Sequence, residues 1–125
     1  MPAVVKVYFD GGCRPDPHGM ETAVAVRGEC HVRRHLGSGT SMDAEWLALI
    51  HAVEFARDAG LANPLFLGDS LAVIGQANGN VKCRSAWLRH LLVLDAMRPA
   101  FGPLRIRHVR RTQNLAGIAL ARLRA

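Results

Sequence analysis

The chain has 125 residues, half of them hydrophobic, and a formal net charge of +6 from 16 Lys and Arg against 10 Asp and Glu. That length suits one domain, 1–125, whose core needs no staple, and Cys13, Cys30 and Cys83 form no C-x-x-C pair, which argues against a disulfide framework or a zinc site. No apolar run approaches spanning length and no basic start precedes a long apolar stretch, so a cytoplasmic protein with no membrane partner is expected. The charge excess points to a polyanion, because Lys and Arg gain affinity by displacing counterions from phosphates; a solvated basic surface is the alternative.

Residues 4–9 (V-V-K-V-Y-F) alternate as a half-buried strand expected to stop at Asp10-Gly11-Gly12. C-R-P-D-P-H-G then reads as a turn, and Thr22–Arg27 and His31–Leu36 as two more strands joined through Gly28. From about Met42 to Ala59, Trp46, Leu49, Ile50, Val53 and Ala56 recur at helical spacing, with Thr40 or Ser41 suited to the N-cap, Asp43 to the first turn and Gly60 to the C-cap. P-L-F-L is a short buried strand ending at Gly68-Asp69-Ser70, followed by a helix to about Ala77. Ser85–Met97 is helical, with Trp87, Leu91 and Leu94 on one stripe. L-R-I-R-H-V is a last strand with Arg105 and Arg107 on its polar face, and Asn114 suits the cap of a closing helix from Leu115 to about Arg124. The order β-β-β-α-β-α-α-β-α predicts an α/β fold, a mixed sheet with helices on its faces and strands one and four parallel. From Ala96 onward there are seven arginines and no acid.

Asp10 and Asp69 each follow an apolar strand, and Glu45 falls in the first turn of the long helix. If strands one and four are parallel neighbours, both aspartates emerge at the carboxyl edge of the sheet, where open α/β sheets bind ligands. A glutamate across that edge would complete an acidic cluster in a basic protein. Such oxygen ligands suit hard divalent cations, and two metals roughly 4 Å apart activate water and stabilise a leaving oxygen at a phosphodiester. Each acid also has a simpler reading: Asp10 as a turn residue, Glu45 as a helix-dipole residue, Asp69 or Ser70 as an N-cap.

Four stretches in this order resemble type 1 ribonuclease H over nearly the whole chain. V-Y-F-D-G-G-C-R-P-D-P resembles the family's first strand and its D-G-x-C-x-G-N-P turn, and T-S-M-D-A-E-W-L-A-L its T-N-N-x-A-E-x-x-A-L. L-F-L-G-D-S-L-A-V-I-G-Q-A-N-G resembles the segment around the third carboxylate, and R-H-V-R-R-T-Q-N-L-A-G-I-A-L-A resembles H-x-x-R-x-x-N-x-x-A-D-x-L-A. The resemblance implies a ribonuclease H-like fold with a five-stranded mixed sheet, three antiparallel strands first and then parallel ones. It also implies Mg²⁺- or Mn²⁺-dependent hydrolysis of the RNA strand of RNA–DNA hybrids, leaving 5′-phosphate and 3′-hydroxyl ends, with Asp10, Glu45 and Asp69 as metal ligands. His108 matches the family histidine that accepts or relays a proton or helps product leave, a role suited to a side chain that titrates near neutrality.

Departures from the family pattern touch ligand and grip. The fourth carboxylate, four residues after Asn114, is Ile118, and the last acid in the chain is Asp95. The family asparagine of the first turn is Asp16, its two consecutive asparagines are Ser41 and Met42, and the glutamine after D-S is Leu71. Backbone groups at Gly11, Gly12 and Cys13 remain able to read 2′-hydroxyls, Thr40 to hold a phosphate of the DNA strand, and Ser41 and Asn114 to contact substrate. Asp69 and His108 are 39 positions apart, which leaves no room for the family's extra basic helix. The expectation is a monomer with no obligate protein partner that cleaves hybrids with an incomplete carboxylate set. A hybrid-binding module that kept the fold without the chemistry is the first alternative, and a general metal-dependent DNA nuclease the second.

Overall fold

The computed structural model describes residues 3–124, the side chain of Arg124 excepted. Strand β1 (Val5–Arg14), β2 (Gly19–Val26) and β3 (Glu29–Arg33) form an antiparallel meander. Helix α1 (Ser41–Asp58) then crosses to β4 (Pro64–Gly68), which lies parallel to β1, and α2 (Leu71–Ala77) and α3 (Ser85–Met97) lead to β5 (Arg105–His108), parallel to β4. Helix α4 (Leu115–Arg124) closes the chain, and the five-stranded sheet has the order β3-β2-β1-β4-β5.

Most elements fall where periodicity places them. Strand β1 does not stop at Asp10: its pairing with β2 runs on to Arg14↔Gly19, because the glycines at 11 and 12 leave backbone hydrogen bonds intact. The third strand is shifted toward the N-terminus, Glu29–Arg33 rather than residues 31–36, because the tight turn at Arg27-Gly28, both at positive φ, lets pairing begin at Val26↔Glu29.

The two sheet faces are packed differently. On the first, Val7, Phe9, Val24 and Phe66 pack against Trp46, Leu49, Val53 and Val73 of α1 and α2 in the main core. Two of its polar contacts are buried: Trp46 Nε1 donates to Gln76 Oε1 at 2.9 Å, and Thr22 Oγ1 lies 2.8 Å from His51 Nδ1. On the second face α4 packs over β1 and β2 through small residues, Ala23, Ala25 and Ala116, with Leu120. No described helix is long and apolar enough to cross a membrane.

Candidate active site

The parallel pairing of β1 with β4 ends at Tyr8↔Leu67. Asp10 stands two residues further along β1 and Asp69 immediately follows β4, so both carboxylates emerge at one edge of the sheet. Glu45 reaches them because α1 lies directly on the β1 backbone. A Cβ added at Gly11 would sit 2.0 Å from the Ala44 carbonyl oxygen, so only glycine permits this approach. The same contact lets the Gly11 N–H donate to Glu45 Oε1 at 3.2 Å. One ligand atom from each of Asp10, Glu45 and Asp69 lies within 4.8 Å of the others.

Burial first, and then the charge of Asp10 with its shared-proton contact, push the Glu45 carboxyl up to about 9; the Gly11 N–H opposes this and Asp69 adds to it. Glu45 Oε2 is buried and no described donor reaches it. Two neighbouring carboxylates cannot hydrogen-bond unless one holds a proton. A proton or a cation is therefore what this corner lacks, and the all-oxygen donor set fits a hard divalent ion.

The third acid is held from behind. Asn114 is fully buried; its Nδ2 donates to the Phe9 carbonyl and to Asp69 Oδ2, each at 3.0 Å. Its Oδ1 accepts from the N–H groups of Ala116 and Gly117, capping α4. One side chain thus ties the end of β1, the acid after β4 and the start of α4 together.

The acids open onto a cleft of about 640 Å³, lined also by Gly11, Ser41, Met42, Ser70, Arg111, Gly117, Ile118, Leu120 and Ala121. Ile118 is thus part of the wall of the cleft that holds the acids, while Leu115 at the start of the same helix is half exposed. Several expected substrate contacts sit elsewhere. Asn114 is too buried to touch a ligand and positions Asp69 instead. The Gly11 N–H is committed to Glu45. Thr40 caps α1, its hydroxyl donating to Asp43 Oδ2 at 3.0 Å and accepting from Asp43 N. Gly12, Cys13, Asp16 and His108 do not line the cleft; Cys13, Asp16 and His108 are exposed. Arg111 went unremarked in the sequence as a cleft residue. Its signal was its position three residues before Asn114, on the short 3₁₀ turn Arg111–Gln113 that leads into α4.

Comparison with known proteins decides the family. The model of the family described as reverse transcriptase-like, ribonuclease H-like in fold, matches residues 22–124. The chain belongs to this family. Ribonuclease H1 from the halophilic archaeon Halobacterium salinarum superposes with a TM-score of 0.81 at 28% identity, over 94% of each chain. The N-terminal RNase H domain of a Mycobacterium tuberculosis protein gives 0.79 at 23% identity, over 99% of this chain and 100% of that one. LC11 ribonuclease H1, solved in complex with an RNA/DNA hybrid, gives 0.75 at 20% identity over 93% and 92%. These neighbours are type 1 ribonucleases H and share the mixed five-stranded sheet. No curated protein matches the sequence.

Proposed function

We propose that this chain hydrolyses the RNA strand of RNA–DNA hybrids, using Mg²⁺ or Mn²⁺ held by Asp10, Glu45 and Asp69. The observation that carries the reading is the convergence of these three carboxylates, one of which, Glu45, keeps a buried oxygen with no described partner. The family supports it, and so does the hybrid bound to one structural neighbour. A divalent ion bound there supplies Lewis-acid charge at a phosphodiester and a nucleophile from water at neutral pH.

The protein's own groups set the geometry. Gly11 fixes one Glu45 oxygen, Asn114 fixes Asp69, and both constraints exist before substrate arrives, so little reorganisation is left for the reaction. Ser41 on the cleft wall and the backbone near Gly12, Cys13 and Asp16 contact the duplex. His108, exposed at the end of β5, carries a proton away from the cleft or helps product leave. Ile118 offers no ligand atom, and its apolar side chain at the cleft wall attenuates the reaction. The products carry 5′-phosphate and 3′-hydroxyl ends.

A hybrid-binding module without chemistry is the second reading, favoured by Ile118 alone. A hybrid with end-labelled RNA, incubated with Mg²⁺ and then with Mn²⁺, separates the two. RNA fragments ending in 5′-phosphate support the enzyme, whereas a hybrid bound but intact in both metals supports the module.

A further inference from the structure

The second face of the sheet is only partly covered. Helix α4 packs over β1, β2 and Val32 of β3, and no described helix packs substantially on β4 or β5 from that side. Strand register sets two rows across this part: Lys6, Leu65 and Arg105 in one, and Tyr8, Leu67 and Arg107 in the next, of which Tyr8 is half-buried beside α4 and Leu67 is buried. Lys6 and Arg107 are exposed, and Leu65 and Arg105 partly so. The only acid within β1, β4 and β5 is Asp10, in the cleft. Arg105 is anchored by the backbone and side chain of Asn63, whereas Lys6 and Arg107 have no hydrogen bond or ion pair among the described residues.

Three uncompensated cations lie close together. Arg105 and Arg107 are about 6.6 Å apart along the strand, and Lys6 and Arg105 are about 9.6 Å apart across two strand spacings, which is about one Debye length at moderate salt. Several arginines elsewhere are matched with acids, Arg33 with Glu54, Arg57 with Asp58 and Arg89 with Asp43, whereas the exposed Arg27, Arg84 and Arg122 lie singly in other parts of the chain. Charges on a sheet edge deter edge-to-edge pairing, which accounts for arginines on β5. It does not account for Lys6 on β1, the middle strand of the sheet. Beyond β5 the cations continue through exposed Arg110 to Arg111, which lines the carboxylate cleft.

We propose that this face is a second nucleic-acid site, a phosphate track from Lys6, Arg105 and Arg107 through Arg110 to Arg111 that binds a single strand leaving the cleft. The inference rests on the cleft taking a nucleic acid strand. A single strand fits better than a duplex because the cleft opens at the sheet's edge while the track lies round the corner on its face. A duplex is stiff over about 150 base pairs and does not turn that corner within one small domain. Without an exposed aromatic platform in these rows, binding is to the backbone, indifferent to sequence and strongly salt-dependent.

The test uses the full chain with a chelator present and fluorescence anisotropy on four probes. These are a blunt hybrid, the same hybrid carrying a single-stranded RNA overhang of about 12 nucleotides at either end, and the free RNA 12-mer. An overhang at one of the ends should tighten binding about tenfold at low salt and steepen the salt dependence by about 0.7 per phosphate contacted. Lys6→Glu/Arg107→Glu should remove that gain and leave blunt-hybrid affinity within about twofold. Arg57→Glu, at the far end of α1, should keep it. The proposal is overturned if neither overhang tightens binding, if the gain survives the double reversal, or if Arg57→Glu abolishes it equally. Should the blunt hybrid not bind at all, the hybrid reading fails separately, and the free RNA decides: a loss of about fivefold or more on double reversal supports the track, no loss ends it. Sedimentation with phosphatidylserine vesicles that depends on Lys6 and Arg107, with RNA binding unchanged, would assign the face to a membrane surface instead and overturn the proposal. If the double reversal melts early, Lys6→Gln/Arg107→Gln replaces it with the same expectations.

Discussion

Asp43 lies in the first turn of α1 and Glu45 two residues further on, just past that turn rather than in it as the sequence suggested, and their surroundings are opposite. Burial alone would raise the Asp43 carboxyl, but it is held below its usual value by a hydrogen bond from His90, the N–H and hydroxyl of Thr40, and the charge of Arg89. Its Oδ1 lies 2.9 Å from His90 Nε2, which must be the donor to a carboxylate, and its Oδ2 accepts from Thr40 N at 3.1 Å. Glu45 has one backbone donor, two acidic neighbours and one orphaned oxygen. The lesson is that burial does not mark a functional acid. Asp43 straps α1 to α3 and is complete within the protein, whereas Glu45 is complete only with something added.

The largest effect expected from breaking this contrast is on chemistry. Asp10→Asn and Glu45→Gln should each cut hybrid cleavage by about a thousandfold, the scale on which removing one electrostatic element of an active site is felt, with no loss of melting temperature. Wild-type turnover in a contaminant-free Asp10→Asn sample would sever the cluster from the activity.

Stability should move the other way round the helix. Asp43→Ala loses a cap and leaves His90 buried without its partner, and should cost about 2–3 kcal/mol in urea unfolding. Glu45→Gln removes an unsatisfied carboxylate and should raise the metal-free melting temperature at pH 8. Equal losses in both variants would erase the distinction.

The pH profile sharpens it further. Glu45 has a folded value of about 9 against 4.5 unfolded, so its neutral form favours the fold and stability falls as pH rises through that window. His51, lowered to about 4 from 6.5 by burial and then by Arg33 and His31, acts in reverse: stability is full above 6.5 and is lost as pH falls toward 4. Saturating divalent metal or Glu45→Gln should flatten the alkaline limb of a melting-temperature profile and leave the acid limb in place.

What was legible in the sequence follows the same division. Asp10, Glu45 and Asp69 could be placed together because strand ends and a helix start are local signals, and parallel pairing of β1 with β4 does the rest. Asn114 was readable as a helix cap, but its bond to Asp69 spans 45 positions and no periodicity encodes it. The Asp43–His90 strap, 47 positions apart, is equally silent. Thr40 and Gly11 were expected at the substrate, yet their polar groups serve Asp43 and Glu45, because a helix start and a strand pressed this close have few other donors to offer. The continuation of β1 past Asp10 was missed because glycines punctuate sequence but need not break a ladder.

The smallest expected effect is at Ile118. Aspartate there adds a carboxylate to the cleft wall and should lower the Mg²⁺ needed for half-maximal cleavage several-fold, with a smaller shift in Mn²⁺, which binds protein ligands more readily. Partial burial of the isoleucine makes some loss of melting temperature the accompanying cost. An unchanged metal titration in a folded Ile118→Asp variant would mean that the side chain does not reach the ion.

The most direct test of the central claim is a melting-temperature titration with Mn²⁺ at pH 8 on wild type, Asp43→Asn and Glu45→Gln. A ligand that binds only the folded state raises stability with its concentration. If the orphaned Glu45 oxygen is a metal ligand, wild type and Asp43→Asn should show the same saturable rise while Glu45→Gln stays flat. A Glu45→Gln curve rising in step with wild type would contradict the account and place the cation elsewhere.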